Sequence, residues 1–120
     1  MLTRYEFGNT GIFHSLQLLD EVDMEITDKE EFKEADNNFE KNLPCPPPLL
    51  FSESNQLRTK SYFTEKGVKR FQKDIDTYIY LFEKYLVPSG IGEISISKIP
   101  NAKKKDIVYQ DEYQTVIRIL

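Results

Sequence analysis

Apolar residues recur along the chain at two spacings, and these spacings lay out its elements. The clearest helical stretch is residues 64–86. There Val68, Phe71, Ile75, Tyr78, Ile79, Phe82 and Leu86 follow the i, i+3, i+4, i+7 pattern of one buried helix face. Thr64 stands where an N-cap belongs, and Pro88-Ser89-Gly90 closes the segment. Gly67 costs such a helix about 1 kcal/mol relative to Ala, so its first turn is expected to be irregular. A second helix is predicted over residues 28–41, with Phe32, Ala35, Phe39 and Leu43 at helical spacing. Thr27-Asp28-Lys29-Glu30 has the form of a capping box before it. A short third helix over residues 11–19 places Ile12, Leu16 and Leu19 on one face, widened by Phe13 and Leu18, with Thr10 as its expected cap.

Period-2 alternation marks the strands. Residues 2–7 read as a strand with Tyr5 and Phe7 on one face, closed by the turn Gly8-Asn9-Thr10-Gly11. Val22, Met24 and Ile26 alternate with acids, which predicts an amphipathic strand over residues 20–26 with one acidic face. Ile94, Ile96 and Lys98 alternate with Glu93, Ser95 and Ser97 in a C-terminal strand. The stretch from Pro100 to Asp106, with Lys103-Lys104-Lys105, reads as a hairpin turn. Residues 107–110 and 113–119 then form two strands broken at Asp111-Glu112, or one long bulged strand. Pro44-Cys45-Pro46-Pro47-Pro48 is a connector that neither helix nor sheet accepts. Leu49-Leu50-Phe51 is expected to return to the core, and residues 52–60 read as a polar, mobile loop. The expected fold is α+β: one domain over residues 1–120, its helices packed on a small antiparallel sheet formed by a C-terminal meander.

Composition agrees with a globular chain of one domain's length, at 120 residues, 39% hydrophobic and 30% charged. A lone cysteine, Cys45, excludes an internal disulfide and Cys-rich metal clusters, and points to a reducing compartment. No apolar run approaches the ~20 residues of a membrane span, and the first residues do not resemble a signal peptide. A cytoplasmic protein without membrane contact is expected.

Charge changes the picture more. The net charge is −4, but residues 1–60 carry 6 basic and 12 acidic side chains, against 10 and 8 in residues 61–120. Ten acids lie between positions 20 and 40, against only Lys29 and Lys33. Such a field repels nucleic acid and attracts a cationic surface. It also opposes folding by self-repulsion, a cost that a cationic partner would offset. Asp23, Glu25, Glu30 and Glu34 form the centre of this candidate docking segment. Lys66, Lys69, Arg70 and Lys73 line the start of the long helix, where solubilising charge is the ordinary explanation.

Groups for catalysis are scarce. His14 is the only histidine and sits in an apolar helical segment, where a structural, partly buried side chain is expected. Cys45 has no neighbouring cation to lower its pKa. Gly90-Ile91-Gly92 lacks the third glycine and the following helix of a dinucleotide loop. Asp20, Asp23 and Glu25 match no calcium-loop spacing. No enzyme, cofactor or metal is expected.

Two segments, Ser61-Tyr62-Phe63-Thr64-Glu65-Lys66-Gly67 and Ile107-Val108-Tyr109-Gln110-Asp111-Glu112-Tyr113-Gln114, resemble parts of the small cytosolic immunity proteins of bacterial toxin systems, including contact-dependent growth inhibition. The resemblance implies a binding protein that covers a toxin's active site, in many cases the cationic groove of a nuclease. Tyr109 and Tyr113 beside Asp111 and Glu112 would supply a second contact surface with aromatic anchors. Three other readings stay open: a phage or mobile-element inhibitor that mimics DNA charge, a self-associating assembly component, and an enzyme built on carboxylates.

Overall fold

The computed structural model describes residues 1–47 and 58–119. Strand β1 (Leu2–Phe7) turns through Gly8, at φ +64°, into the two-residue strand β2 (Thr10–Gly11). Helices α1 (Ile12–Asp20) and α2 (Ile26–Asn42) follow. Next come β3 (Thr59–Phe63), the long helix α3 (Glu65–Tyr85) and the strands β4 (Ile94–Ile99), β5 (Ile107–Gln110) and β6 (Gln114–Arg118). The fold is α+β, with helices on an antiparallel sheet and one long amphipathic helix, as the periodicities predict.

Pairing runs β1-β3-β6-β5, with β4 along the other edge of β1 and β2 beside its end. Of the three C-terminal strands, β5 and β6 pair with each other, whereas β4 pairs with β1 over six residues from Leu2↔Ile99 to Phe7↔Ile94. The segment Pro100 to Asp106 therefore does not close a hairpin. It crosses from one edge of the sheet to the other and includes a short 3-10 turn, Lys104–Asp106.

The helices cover one sheet face. Tyr5, Phe7 and Phe63 meet Phe39, Phe71, Ile75, Tyr78 and Phe82 there, with Phe71, Ile75 and Phe82 fully buried. Phe7 stacks on Phe82 at 4.8 Å, and Phe39 stacks on Phe71 at 4.8 Å. Leu2, Tyr62 and Ile117 form a smaller cluster, in which Tyr62 alternates with Phe63 along β3 and so lies on the opposite face. On that face Arg4 pairs with Glu6 at 2.6 Å and donates to the Ser61 carbonyl at 3.1 Å.

Several local expectations are corrected. Residues 20–26 are not a strand: α1 runs to Asp20 and α2 begins at Ile26, with a five-residue link between them. Met24 is buried but Ile26 is 76% exposed, so the alternation builds no buried face. The N-cap of α2 is Glu25, without a side-chain cap bond, and Thr27 caps nothing. Early carboxylates at the helix's positive end supply the local preference. Thr10 does not cap α1 either; its hydroxyl contacts the Ser15 hydroxyl at 2.6 Å and donates to the Phe7 carbonyl at 3.3 Å. Thr59 and Lys60, read as loop, belong to β3, which lies between β1 and β6. Pro48, Leu49-Leu50-Phe51 and residues 52–57 lie outside the described residues. Thr64 does cap α3, accepting from the Gly67 N–H at 3.0 Å.

Candidate functional site

The acidic segment is built by one register. In α2, Asp28, Phe32, Ala35 and Phe39 point into the protein. The 100° step per residue then puts Glu30 and Glu34, one turn apart, on the far side in solvent. Asp20, Glu21, Asp23, Glu25, Glu31 and Glu40 are exposed as well. The end of α1, the link and the outer face of α2 thus form one acidic ridge. Glu34 lies 3.9 Å from Lys73 with both side chains solvated, a pair of little energetic weight. Asp20, Glu21, Asp23, Glu30, Glu31 and Glu40 have no cation within ion-pair distance among the described residues.

Two of the ten acids leave the ridge. Asp28 is buried, accepting from Lys84 Nζ at 2.8 Å and from the Tyr85 hydroxyl at 2.5 Å. The Lys84 bond, followed by that of Tyr85, holds its pKa below the usual carboxylate range. Asp36 is half-buried and accepts from the Tyr78 hydroxyl. Burial raises the Asp36 pKa in spite of that bond, and the charges of Asp20 and Glu40 raise it further. Burial and Asp36 together push the Tyr78 phenol far above its ordinary value.

Glu25 serves the ridge and the fold together. Its carboxylate lies 3.3 Å from Lys84, and its N–H donates to the Tyr85 hydroxyl at 3.0 Å. Lys84 and Tyr85, near the end of α3, therefore anchor the start of the ridge to the core. The sequence reading did not single them out. The signal was present, because Asp28 falls in helical step with Phe32, Ala35 and Phe39 and so had to meet a charged or hydrogen-bonding partner.

The β5–β6 turn is put to internal use. Asp111 accepts from the Tyr109 hydroxyl at 2.7 Å, the backbone N–H groups of Tyr113 and Gln114 at 2.8 and 3.1 Å, and Gln114 Nε2 at 3.0 Å. Partial burial works to raise the Asp111 pKa, but these donors outweigh it and the pKa falls. Tyr113 sets its ring edge-on to Phe71 at 5.4 Å, and Tyr109 is half-buried. Glu112 is the exposed member of the four and pairs with Lys66 at 2.6 Å. Beside the turn lies an open groove of about 560 Å³, lined in part by Thr64, Lys66, Lys69, Asn101, Gln110 and Glu112. It presents both signs of charge.

His14 is exposed rather than partly buried, and makes no hydrogen bond or ion pair among the described residues. Phe13 beside it is also partly exposed, though its ring packs edge-on to Phe39 at 5.0 Å. Cys45 is a free, exposed thiol. No group of three or more His, Cys, Asp or Glu side chains among the described residues is arranged to hold a metal ion. No helix among the described residues is long and apolar enough to cross a membrane. No protein-family model matches the chain, and no curated protein or solved structure is significantly similar to it.

Proposed function

We propose that this chain is a protein-binding inhibitor, with the α1–α2 ridge as its docking surface, and that it acts as an immunity protein by covering the cationic active site of a cognate toxin. One observation carries the reading: six solvated carboxylates along the end of α1, the link and the outer face of α2 have no cation within ion-pair distance among the described residues. Like charges at that density repel, and a basic partner converts the repulsion into attraction and steers the encounter. The ridge rests on a rigid base. Asp28, Lys84 and Tyr85 fix one end, and Phe39, packed on Phe71 and Tyr78, fixes the other. A preordered surface loses little conformational entropy on docking. The ridge, more than the β5–β6 turn, is the contact surface, because Tyr109, Asp111 and Tyr113 are spent on internal bonds and packing.

The test begins by capturing the partner from the native host on the immobilised chain, then measures association by stopped flow. Raising salt to about 0.5 M, where the Debye length is roughly 4 Å, slows association at least tenfold if charge steers it. Reversing Asp23, Glu30, Glu31 and Glu34 to Lys weakens binding and leaves the fold intact. Glu25 is spared because it holds Lys84. Reversing Glu112 is the control and has little effect. Salt-independent kinetics together with full binding by the fourfold variant would sink the proposal.

A further inference from the structure

Strand β4 is an edge strand whose outer side pairs with no strand among the described residues. The Gly8 N–H donates to the Glu93 carbonyl at 3.0 Å, in step with the β1–β4 register. In an antiparallel ladder, hydrogen-bonded and non-hydrogen-bonded pairs alternate. Glu93, Ser95, Ser97 and Ile99 therefore turn their backbone groups toward β1. Ile94, Ile96 and Lys98 turn theirs outward, where no described strand pairs with them. The protections usual for such an edge are sparse here. Strand β4 pairs with β1 over six residues without a bulge, holds no proline, and carries a single charge, Lys98. The opposite edge, β5, is four residues long and irregular between Ile107 and Tyr109. At the centre of β4, Ile96 is 53% exposed on the face that the helices cover elsewhere.

The geometry points to a second copy of this chain as the occupant, joined by antiparallel pairing of β4 with β4 about a two-fold axis at Ile96. Side-chain alternation decides the register. The two sheets become continuous, helices on the same side, only if paired residues share parity. Centring the axis on Ile96 satisfies that condition and brings the outward donors and acceptors of Ile96 onto those of its copy. Ile94 then lies opposite Lys98 of the second copy, in both directions, so every outward backbone group of the three residues is paired. The exposed Ile96 side chain meets its own copy, and Ser95 meets Ser97 on the other face. Positions 93–99 carry one negative and one positive charge, so this edge is neutral in a chain of net charge −4. Strands of this length span about 20 Å. Their joined edges bury less than the roughly 1,200 Å² of stable complexes. The dimer is therefore weak and concentration-dependent. It is independent of the acidic ridge.

Sedimentation equilibrium of the whole chain from about 10 μM to 1 mM should show a monomer–dimer equilibrium, since strand-edge contacts of this size fall in the transient class. Ile96→Lys sets two cations against each other on the axis, and Lys98→Pro removes an outward N–H while leaving the β1 ladder intact. Each should weaken the dimer at least tenfold, with circular dichroism confirming the fold. Register is tested in a Cys45→Ser background. Ile96→Cys places two thiols on a hydrogen-bonded pair, about 5.5 Å between Cα atoms and within disulfide reach. Ser97→Cys leaves its thiols about 8 Å apart at Cα by the same strand spacings, beyond ordinary disulfide reach. Oxidation should therefore cross-link the Ile96→Cys protein at least tenfold faster. A strictly monomeric chain at 1 mM, a dimer indifferent to both edge variants, or equal cross-linking rates would each overturn the proposal. So would capture of a foreign strand on β4 by a chain that does not self-associate.

Discussion

Gly67→Ala is the substitution on which sequence and structure disagree most. By helix propensity alone it should stabilise α3 by about 1 kcal/mol. The fold opposes this. A Cβ at Gly67 would lie 2.1 Å from the Tyr113 carbonyl oxygen, where about 3 Å is the practical minimum. The obstacle is backbone, held in place from several sides. The Tyr113 carbonyl accepts from the Thr64 N–H at 3.0 Å, and the neighbouring Glu112 carbonyl accepts from the Thr64 hydroxyl at 2.7 Å. Admitting the methyl group moves the β5–β6 turn about 1 Å from α3 and disrupts both bonds, each contributing roughly 1–1.5 kcal/mol. The Tyr113 ring also retreats from Phe71. With the lost ring contact adding about 0.5–1.5 kcal/mol and the propensity gain offsetting about 1, the net destabilisation is about 1.5–3.5 kcal/mol. Urea unfolding followed by far-ultraviolet circular dichroism should show the midpoint fall by about 1 M or more, with an unchanged slope. Thr64→Ala acts on the same contact, so the double variant should lose less than the sum of the singles. A Gly67→Ala protein as stable as the parent, or more so, would refute the close approach of turn and helix.

Phe71→Ala, at a fully buried site between Phe39, Phe63 and Tyr113, should cost about 3–5 kcal/mol in the same unfolding assay. His14→Ala and Cys45→Ser should leave partner binding intact and shift stability by about 0.5 kcal/mol or less, since both side chains are exposed; loss of binding at an unchanged melting temperature would implicate them in function. Asp28 has a lowered folded-state pKa, so its stabilising contribution is complete above the unfolded carboxylate pKa and is lost as pH falls. The melting-temperature advantage of the parent over Asp28→Asn should therefore shrink as pH falls below about 4, the unfolded carboxylate value. Asp36 carries the opposite sign: its raised pKa favours the folded state at low pH, and that contribution fades as pH rises through the folded pKa. Asp36→Asn should compare best with the parent at neutral pH and lose ground on acidification.

Much of this molecule is local and was legible as such. Strand β1, helices α1, α2 and α3, the Thr64 cap, the break at Asp111-Glu112 and the α+β class follow from apolar spacing, capping chemistry and turn residues, all of which act within a few positions. The acidic ridge was legible as charge density. What failed was decided at a distance. Val22, Met24 and Ile26 alternate like a strand, but a strand needs a ladder partner, and the chain spends those residues joining two helices. Strand β3 holds Lys60 and Ser61 among its five residues and looks polar, yet neighbours on both sides make it a strand. Asp28 read as a capping-box residue until Lys84 and Tyr85, 56 and 57 positions away, gave its buried carboxylate an ion pair and a hydrogen bond. Tyr109, Asp111 and Tyr113 looked like an exposed anchor because nothing local shows that the turn docks on α3. The sequence by itself determined which segments are helical or extended and where charge gathers, because those follow from short-range sterics and solvation. Tertiary structure alone decided which carboxylates remain in water, why residue 67 must be glycine and which strand edge is left unpaired among the described residues, because each depends on contacts between residues far apart in the chain.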